Sequence, residues 1–172
     1  MTAPRNNKSI RPGLHVLIVD DDANVLRDVS ARLTTEGHRV SVFSRAAGVR
    51  QLVRVLKPQV LLIDVLMPDL NKRMLLDLLA ACRRSDEKPI VILHSRLAVR
   101  MLKTLVNVGN AAGVIQKTRS DIEFMLAFNA IVERARAPHG RFLSAEAAMS
   151  GTHRIPSIPD EEVEELRTGS TR

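Results

Sequence analysis

One stretch constrains this chain more than any other: Val60-Leu61-Leu62-Ile63-Asp64-Val65-Leu66-Met67-Pro68. Four aliphatic side chains run without interruption into a carboxylate, and a proline follows four residues later. An apolar run of that kind describes a strand buried on both faces, as in a parallel sheet covered by helices. A charge has no place inside such a strand, so Asp64 belongs at its carboxyl end, where the chain leaves the sheet. Pro68 lacks a backbone donor and marks the exit loop. Ligands of open α/β sheets bind beyond the carboxyl ends of the strands, which makes Asp64 a candidate for chemistry.

The neighbouring segments repeat the pattern. His15-Val16-Leu17-Ile18-Val19 is a first strand ending in Asp20-Asp21-Asp22. Leu26, Val29 and Leu33 share one helical face before the stop at Gly37. Arg39 to Phe43 forms a short second strand, and Val49, Leu52, Val53 and Leu56 mark a second helix closed by Pro58. After the Asp64 strand, Met74 to Cys82 is a third helix and Ile90 to Leu93 a fourth strand. Leu97, Met101 and Leu105 fall on one face of a fourth helix ending near Gly109. Gly113 to Gln116 is a fifth strand leading to Lys117, and Ser120 with Glu123 forms a capping box for a fifth helix through Arg136. Strict alternation of five strands with five helices implies right-handed crossovers and a doubly wound, flavodoxin-like (βα)5 fold. The expected parallel five-stranded sheet has the order 2-1-3-4-5.

Composition narrows the function. The chain of 172 residues suits one domain with tails, and it has no Trp, no Tyr and four Phe. Base stacking, aromatic cages and flavin sandwiches all need ring faces and are disfavoured. The single Cys82 has no partner for an internal disulfide, which favours a reducing compartment. No apolar run reaches membrane-spanning length and no secretory h-region precedes the first strand, so the expected location is cytoplasmic. The net charge is +7, but no nucleic-acid docking motif accompanies it, and nucleic acid is not the expected partner. Residues 1–14 form a basic, flexible arm. Residues 15–136 are the ordered domain. Residues 137–172 are a mostly disordered tail, with one short helical segment at 159–167.

In a sheet of this order the first and third strands are neighbours, and the topological switch lies between them. Asp20, Asp21 and Asp64 then converge on one crevice. Three carboxylates in contact repel unless a cation sits among them, and hard oxygen ligands suit Mg²⁺. A cation beside an unpaired carboxylate permits phosphoryl chemistry. Lys117 supplies positive charge on the other flank, and Ser95 is placed to bind a phosphoryl oxygen. Taken singly these residues have plain explanations: Asp22 suits the N-cap of the first helix better than a ligand role, Asp20 and Asp21 suit a loop, and Lys117 suits solvent. Their joint placement at the carboxyl ends of different strands argues for a site.

With these residues in view, the chain resembles the receiver domain of two-component response regulators. Val19-Asp20-Asp21-Asp22 matches the acid pair, Asp64-Val65-Leu66-Met67-Pro68 the phosphoacceptor turn, Ser95 the switch hydroxyl and Ile115-Gln116-Lys117 the lysine. The resemblance implies that Asp64 accepts a phosphoryl group from a histidine kinase or phosphotransfer protein. It implies Mg²⁺ held by Asp21, Asp64 and the Leu66 carbonyl, with Asp20 acting through water and Lys117 contacting the phosphoryl group. Counting forward from Pro89 would put His94 at the switch position. Counting back from Lys117 gives Ser95, whose hydroxyl both donates and accepts, and Ser95 is chosen.

The chain departs from the family pattern in three places. The aromatic switch position is Val114. The usual glycine after the proline turn is Lys72, which moves the expected left-handed kink to Asn71. Thr118 replaces the proline after the lysine, so a cis peptide is not expected there. No output module follows, so signalling is expected through a surface. Residues 96–136 carry Arg96, Arg100, Lys103, Lys117 and Arg119, and the fifth helix is apolar on more than one side. An acidic-rimmed protein or a second copy is the expected partner. The alternatives are a scaffold that binds partners constitutively and, nearly excluded by Leu66, a Mg²⁺-dependent phosphohydrolase.

Overall fold

The structure is a computed structural model, and it describes residues 13–97, 106–107, 109–117 and 120–137. Five strands, β1 (His15–Val19), β2 (Arg39–Phe43), β3 (Val60–Asp64), β4 (Ile90–Ser95) and β5 (Gly113–Gln116), make one sheet. Its order is β2-β1-β3-β4-β5, and every neighbouring pair is parallel. The helices are α1 (Ala23–Thr35), α2 (Val49–Leu56), α3 (Lys72–Arg84) and α4 (Asp121–Arg136). The last is the fifth helix of the sequence pattern. The helix expected around Leu97, Met101 and Leu105 falls mostly outside the described residues, as do residues 1–12 of the arm and 138–172 of the tail.

The strands' continuous aliphatic runs are explained by their two covered faces. Leu17, Val19, Leu61, Ile63, Val91 and Leu93 point toward α2 and α3. Val16, Ile18, Leu62, Ile92 and Ile115 point toward α1 and α4. Each face is built on every second residue, as the pleat requires. Leu14, counted with the arm on sequence grounds, is buried in the second of these clusters. Its N–H bonds to His38 Nδ1 at 3.1 Å and its carbonyl accepts from Arg39.

Helix ends follow local chemistry. Asp22 caps α1 by accepting the Asn24 N–H at 2.9 Å, and Gly37 takes the left-handed conformation just past its end, at φ 88°. Ser120 and Glu123 form the capping box of α4. The kink expected at Asn71 is absent: Asn71 is extended (φ −91°) and is the N-cap of α3, its side chain accepting from Met74 N–H. A residue that can cap a helix is better used in extended than in left-handed geometry, and the cap starts α3 at Lys72, two residues before the apolar pattern does. Pro68 sits in the exit loop after β3, followed by Asp69. The Asp69 carboxylate accepts N–H bonds from Ala46 (2.9 Å) and Ala47 (3.2 Å), tying the β3–α3 loop to the β2–α2 loop.

Candidate functional site

The parallel register brings the strand ends level. Val19 pairs with Ile63, Asp64 with His94 and Ser95 with Gln116, so the carboxyl ends of β1, β3, β4 and β5 open into one crevice. Asp20 is fully buried just after β1, its N–H bonded to the Phe43 carbonyl and its Oδ1 accepting from Asp22 N–H at 3.1 Å. Asp64 is buried at the end of β3, and its Oδ1 accepts from Leu66 N–H at 2.9 Å, folding the chain back over the carboxylate. Asp21 is exposed at the rim. One carboxylate oxygen from each of Asp20, Asp21 and Asp64 lies within 4.8 Å of the others.

Lys117 closes the crevice. Its N–H bonds to the Ser95 carbonyl at 3.0 Å, carrying the β4–β5 ladder one residue further and fixing where the side chain departs. Its Nζ donates to Asp64 Oδ2 at 2.6 Å and forms an ion pair with Asp20 Oδ2 at 2.8 Å. The second contact is not an aligned hydrogen bond: Asp20 Oδ2 remains a buried acceptor without one. The lysine is therefore not solvated, its side chain being 7 % exposed. Burial opposes its charge, but the close contacts with Asp20 and Asp64 and the attraction of their carboxylates outweigh that and hold its pKa above the ordinary value. Burial holds the Asp20 carboxyl above the usual carboxylate range, against the pull of Lys117.

These donors fit a hard divalent cation. Three carboxylates converge, one rim-exposed and open to solvent, and the buried Asp20 oxygen lacks an aligned donor. Ser95 is fully buried at the end of β4, and among the described residues its Oγ receives only a long 3.4 Å bond from Leu97 N–H. A hydroxyl so weakly engaged keeps hydrogen-bonding capacity for another group. Arg96, next in sequence, reaches Asp22 at 3.3 Å on the rim. Val114 is half-buried against the α2–α3 side of the sheet, opposite Leu93.

His94 is the feature that the sequence did not single out beyond rejecting it as the switch residue. It is buried with Nδ1 3.9 Å from Asp20 Oδ2 and without a hydrogen-bond partner. Burial and the nearby Lys117 charge lower its pKa to about 4, leaving a neutral ring. Its edge meets Phe124 of α4, with centroids 5.7 Å apart and planes at 72°. The only sequence signal was a polar residue at a position whose β4 predecessors, Ile90 and Ile92, face the α1–α4 side. A separate cleft of about 120 Å³ between α2 and α3, rimmed by Arg50, Arg54 and Arg84, shares no residue with this crevice.

The family model of the response regulator receiver domain matches residues 16–129. The chain belongs to the response regulator receiver family. Among curated relatives, the receiver is 30% identical over 81 residues to the transcriptional regulatory protein KdpE of Mycobacterium tuberculosis, covering 47% of this chain and 34% of that one. It is 27% identical over 81 residues to the transcriptional regulatory protein AfsQ1 of Streptomyces coelicolor, covering 47% and 35%. The match thus spans about a third of the length of those relatives. Among solved structures, the chemotaxis response regulator CheY4 of Vibrio cholerae aligns at TM-score 0.61 and 17% identity, over 69% of this chain and 98% of that one. The signal receiver domain of an HD domain-containing protein from Pseudomonas fluorescens aligns at TM-score 0.63 and 17% identity, over 80% and 99%. These likenesses bear on the fold. Receiver domains are signalling domains of two-component systems, bind Mg²⁺ at an acidic pocket and interact with histidine kinases or phosphotransfer partners. No helix among the described residues is long and apolar enough to cross a membrane.

Proposed function

We propose that this receiver accepts a phosphoryl group on Asp64 and signals by phosphorylation-dependent protein binding. The observation that carries this reading is the bridge of Lys117 across Asp64 and Asp20, beside the rim carboxylate of Asp21. A carboxylate that is buried, ion-paired and next to a cation-binding cluster is poised as a nucleophile rather than as a solvated charge.

In this reading Asp21, Asp64 and the Leu66 carbonyl would hold Mg²⁺, with Asp20 acting through water, and the cation would supply neutralising charge at the transferring group. An Asp64 oxygen forms the new O–P bond as the N–P bond of a phosphohistidine breaks, its electron pair returning to the imidazole nitrogen. Lys117 turns from the free carboxylate to the phosphoryl oxygens, and Ser95 Oγ binds another of them. The partner is a histidine kinase or phosphotransfer protein, and the working compartment is the cytoplasm. Output passes through residues 96–136 to an acidic-rimmed protein or a second copy. Ile122 and Leu126 of α4 are 75% and 66% exposed, an apolar pair one turn apart that suits such an interface.

Val114 favours a second reading, a scaffold that binds its partners constitutively, because an aliphatic side chain at that position has no polar end to swing between inside and outside. Incubation with Mg²⁺ and acetyl phosphate, followed by intact mass, separates the two. The expected result is a gain of one phosphoryl group, lost in Asp64→Ala; no gain in a wild type shown to bind Mg²⁺ selects the scaffold.

A further inference from the structure

Asp20 Oδ2 has two neighbours of interest. Lys117 Nζ is 2.8 Å away and His94 Nδ1 is 3.9 Å away. Both Nδ1 and Oδ2 are buried without a hydrogen bond, although buried polar atoms are ordinarily satisfied. An N–H···O bond forms near 2.9 Å, so the ring is about an ångström short of one. While Lys117 neutralises Asp20, nothing draws His94 in. Once Lys117 is drawn to a phosphoryl group on Asp64, Asp20 Oδ2 loses its 2.8 Å ammonium neighbour and faces the imidazole 3.9 Å away.

The far side of the ring is equally tight. His94 meets Phe124 edge-on, Phe124 stacks on Phe128 at 6.1 Å, and the Arg32 guanidinium of α1 lies over Phe124 at 5.0 Å. Arg32 also ion-pairs with Asp121 in the first turn of α4. Phe124 and Phe128 are essentially inaccessible to solvent. In so dense a core a ring cannot move an ångström without moving its neighbours.

We propose that His94 is a positioning residue that couples the state of the acid pocket to α1 and α4: it closes on Asp20 when Lys117 leaves, and Phe124 and Arg32 follow. The responding face is then the α1–α4 edge, on the opposite side of the sheet from Val114. This inference rests on the phosphoacceptor reading, since it is the loaded Asp64 that draws Lys117 away.

The test follows the histidine ring nitrogens and backbone amides by NMR, with Mg²⁺ alone and with Mg²⁺ plus beryllofluoride as the phosphoryl mimic. Loading is expected to shift His94 Nδ1, the amides of Asp121 and Phe124, and Arg32 Nε together. His94→Val, compared at full loading, is expected to reduce the α4 shifts to under a third of wild type. His94→Asn, whose amide nitrogen sits near the place of Nδ1, restores most of them. Phe124→Leu leaves every pocket residue in place and is expected to uncouple Asp121 and Arg32 while His94 still responds. Wild-type α4 shifts in both His94→Val and Phe124→Leu, or a His94 ring unmoved by loading, would overturn the coupling alone. A wild-type chain in which neither Val65 nor Leu66 responds to the mimic overturns the phosphoacceptor reading and the coupling with it.

Discussion

Lys117 Nζ lies 2.6 Å from Asp64 Oδ2, inside a crevice where the lysine side chain is nearly as buried as the carboxylate it meets. The ammonium sits on two of the three carboxylates a cation would use, so lysine and Mg²⁺ would compete for them. Lys117→Ala should therefore destabilise the metal-free chain by about 3 kcal/mol, because it leaves two buried carboxylates without a counter-charge. Mg²⁺ should restore much of that loss through binding to the folded state. Urea unfolding with and without millimolar Mg²⁺ checks both halves, and a variant as stable as wild type in chelator contradicts the competition.

Acid should weaken the metal-free fold. Burial lowers the pKa of His15, His38 and His94, the last to about 4. Each ring binds its proton less readily folded than unfolded, so the unfolded chain takes up more protons as pH falls. Stability is full above about 6.5 and declines below it, with His94 contributing about 3 kcal/mol of loss by pH 4. Asp20, whose carboxyl is held above the usual range, acts in the opposite direction at lower pH. Urea midpoints between pH 7.5 and 4.5 in chelator should fall for wild type and flatten in His94→Val.

Gly113 opens β5 directly beneath α4. A Cβ there would lie 2.7 Å from Cδ1 and Cγ1 of Ile131, a clash between strand and helix rather than a backbone preference. Gly113→Ala should cost about 1–3 kcal/mol. The double variant Gly113→Ala, Ile131→Ala should cost less than the sum of the two singles, because each removes what the other strains against. Additive losses in thermal unfolding would show that the contact is not the cause.

Cys82 is buried in α3, and burial pushes its thiol pKa up to about 11. A thiol that stays protonated and covered does not react at neutral pH. Labelling by an aromatic disulfide should be at least ~100-fold slower than for a free cysteine and should accelerate with urea in step with unfolding. Rapid labelling of the native chain would place the sulfur on an accessible surface.

What could be read from the residues follows from how local the cause is. The strands and their order were legible because a doubly covered sheet leaves continuous aliphatic runs, and Asp64 interrupts one where the sheet ends. The Asp22, Ser120 and Glu123 caps were legible because capping needs only a few consecutive residues. Asn71 was misjudged because sequence shows that a kink-forming residue is present, not whether its side chain is better used as a cap. Leu14 was assigned to the arm because nothing near it shows that His38 and Arg39 will take up its backbone groups. The burial of Lys117 and the place of His94 depend on strands brought level by register, which sets Lys117 against Asp64 across a gap of 53 residues, where composition is silent.

The clasp made by Asp69 bears on how fast the pocket can be filled. With the loop after β3 already bound to the backbone of Ala46 and Ala47, the chain around Asp64 has little freedom left to lose. A ligand that meets an ordered loop gives up no affinity to the ordering of chain. Capture of a cation should then be limited by how quickly the ion sheds its own water, and not by movement of the loop that Asp69 holds still.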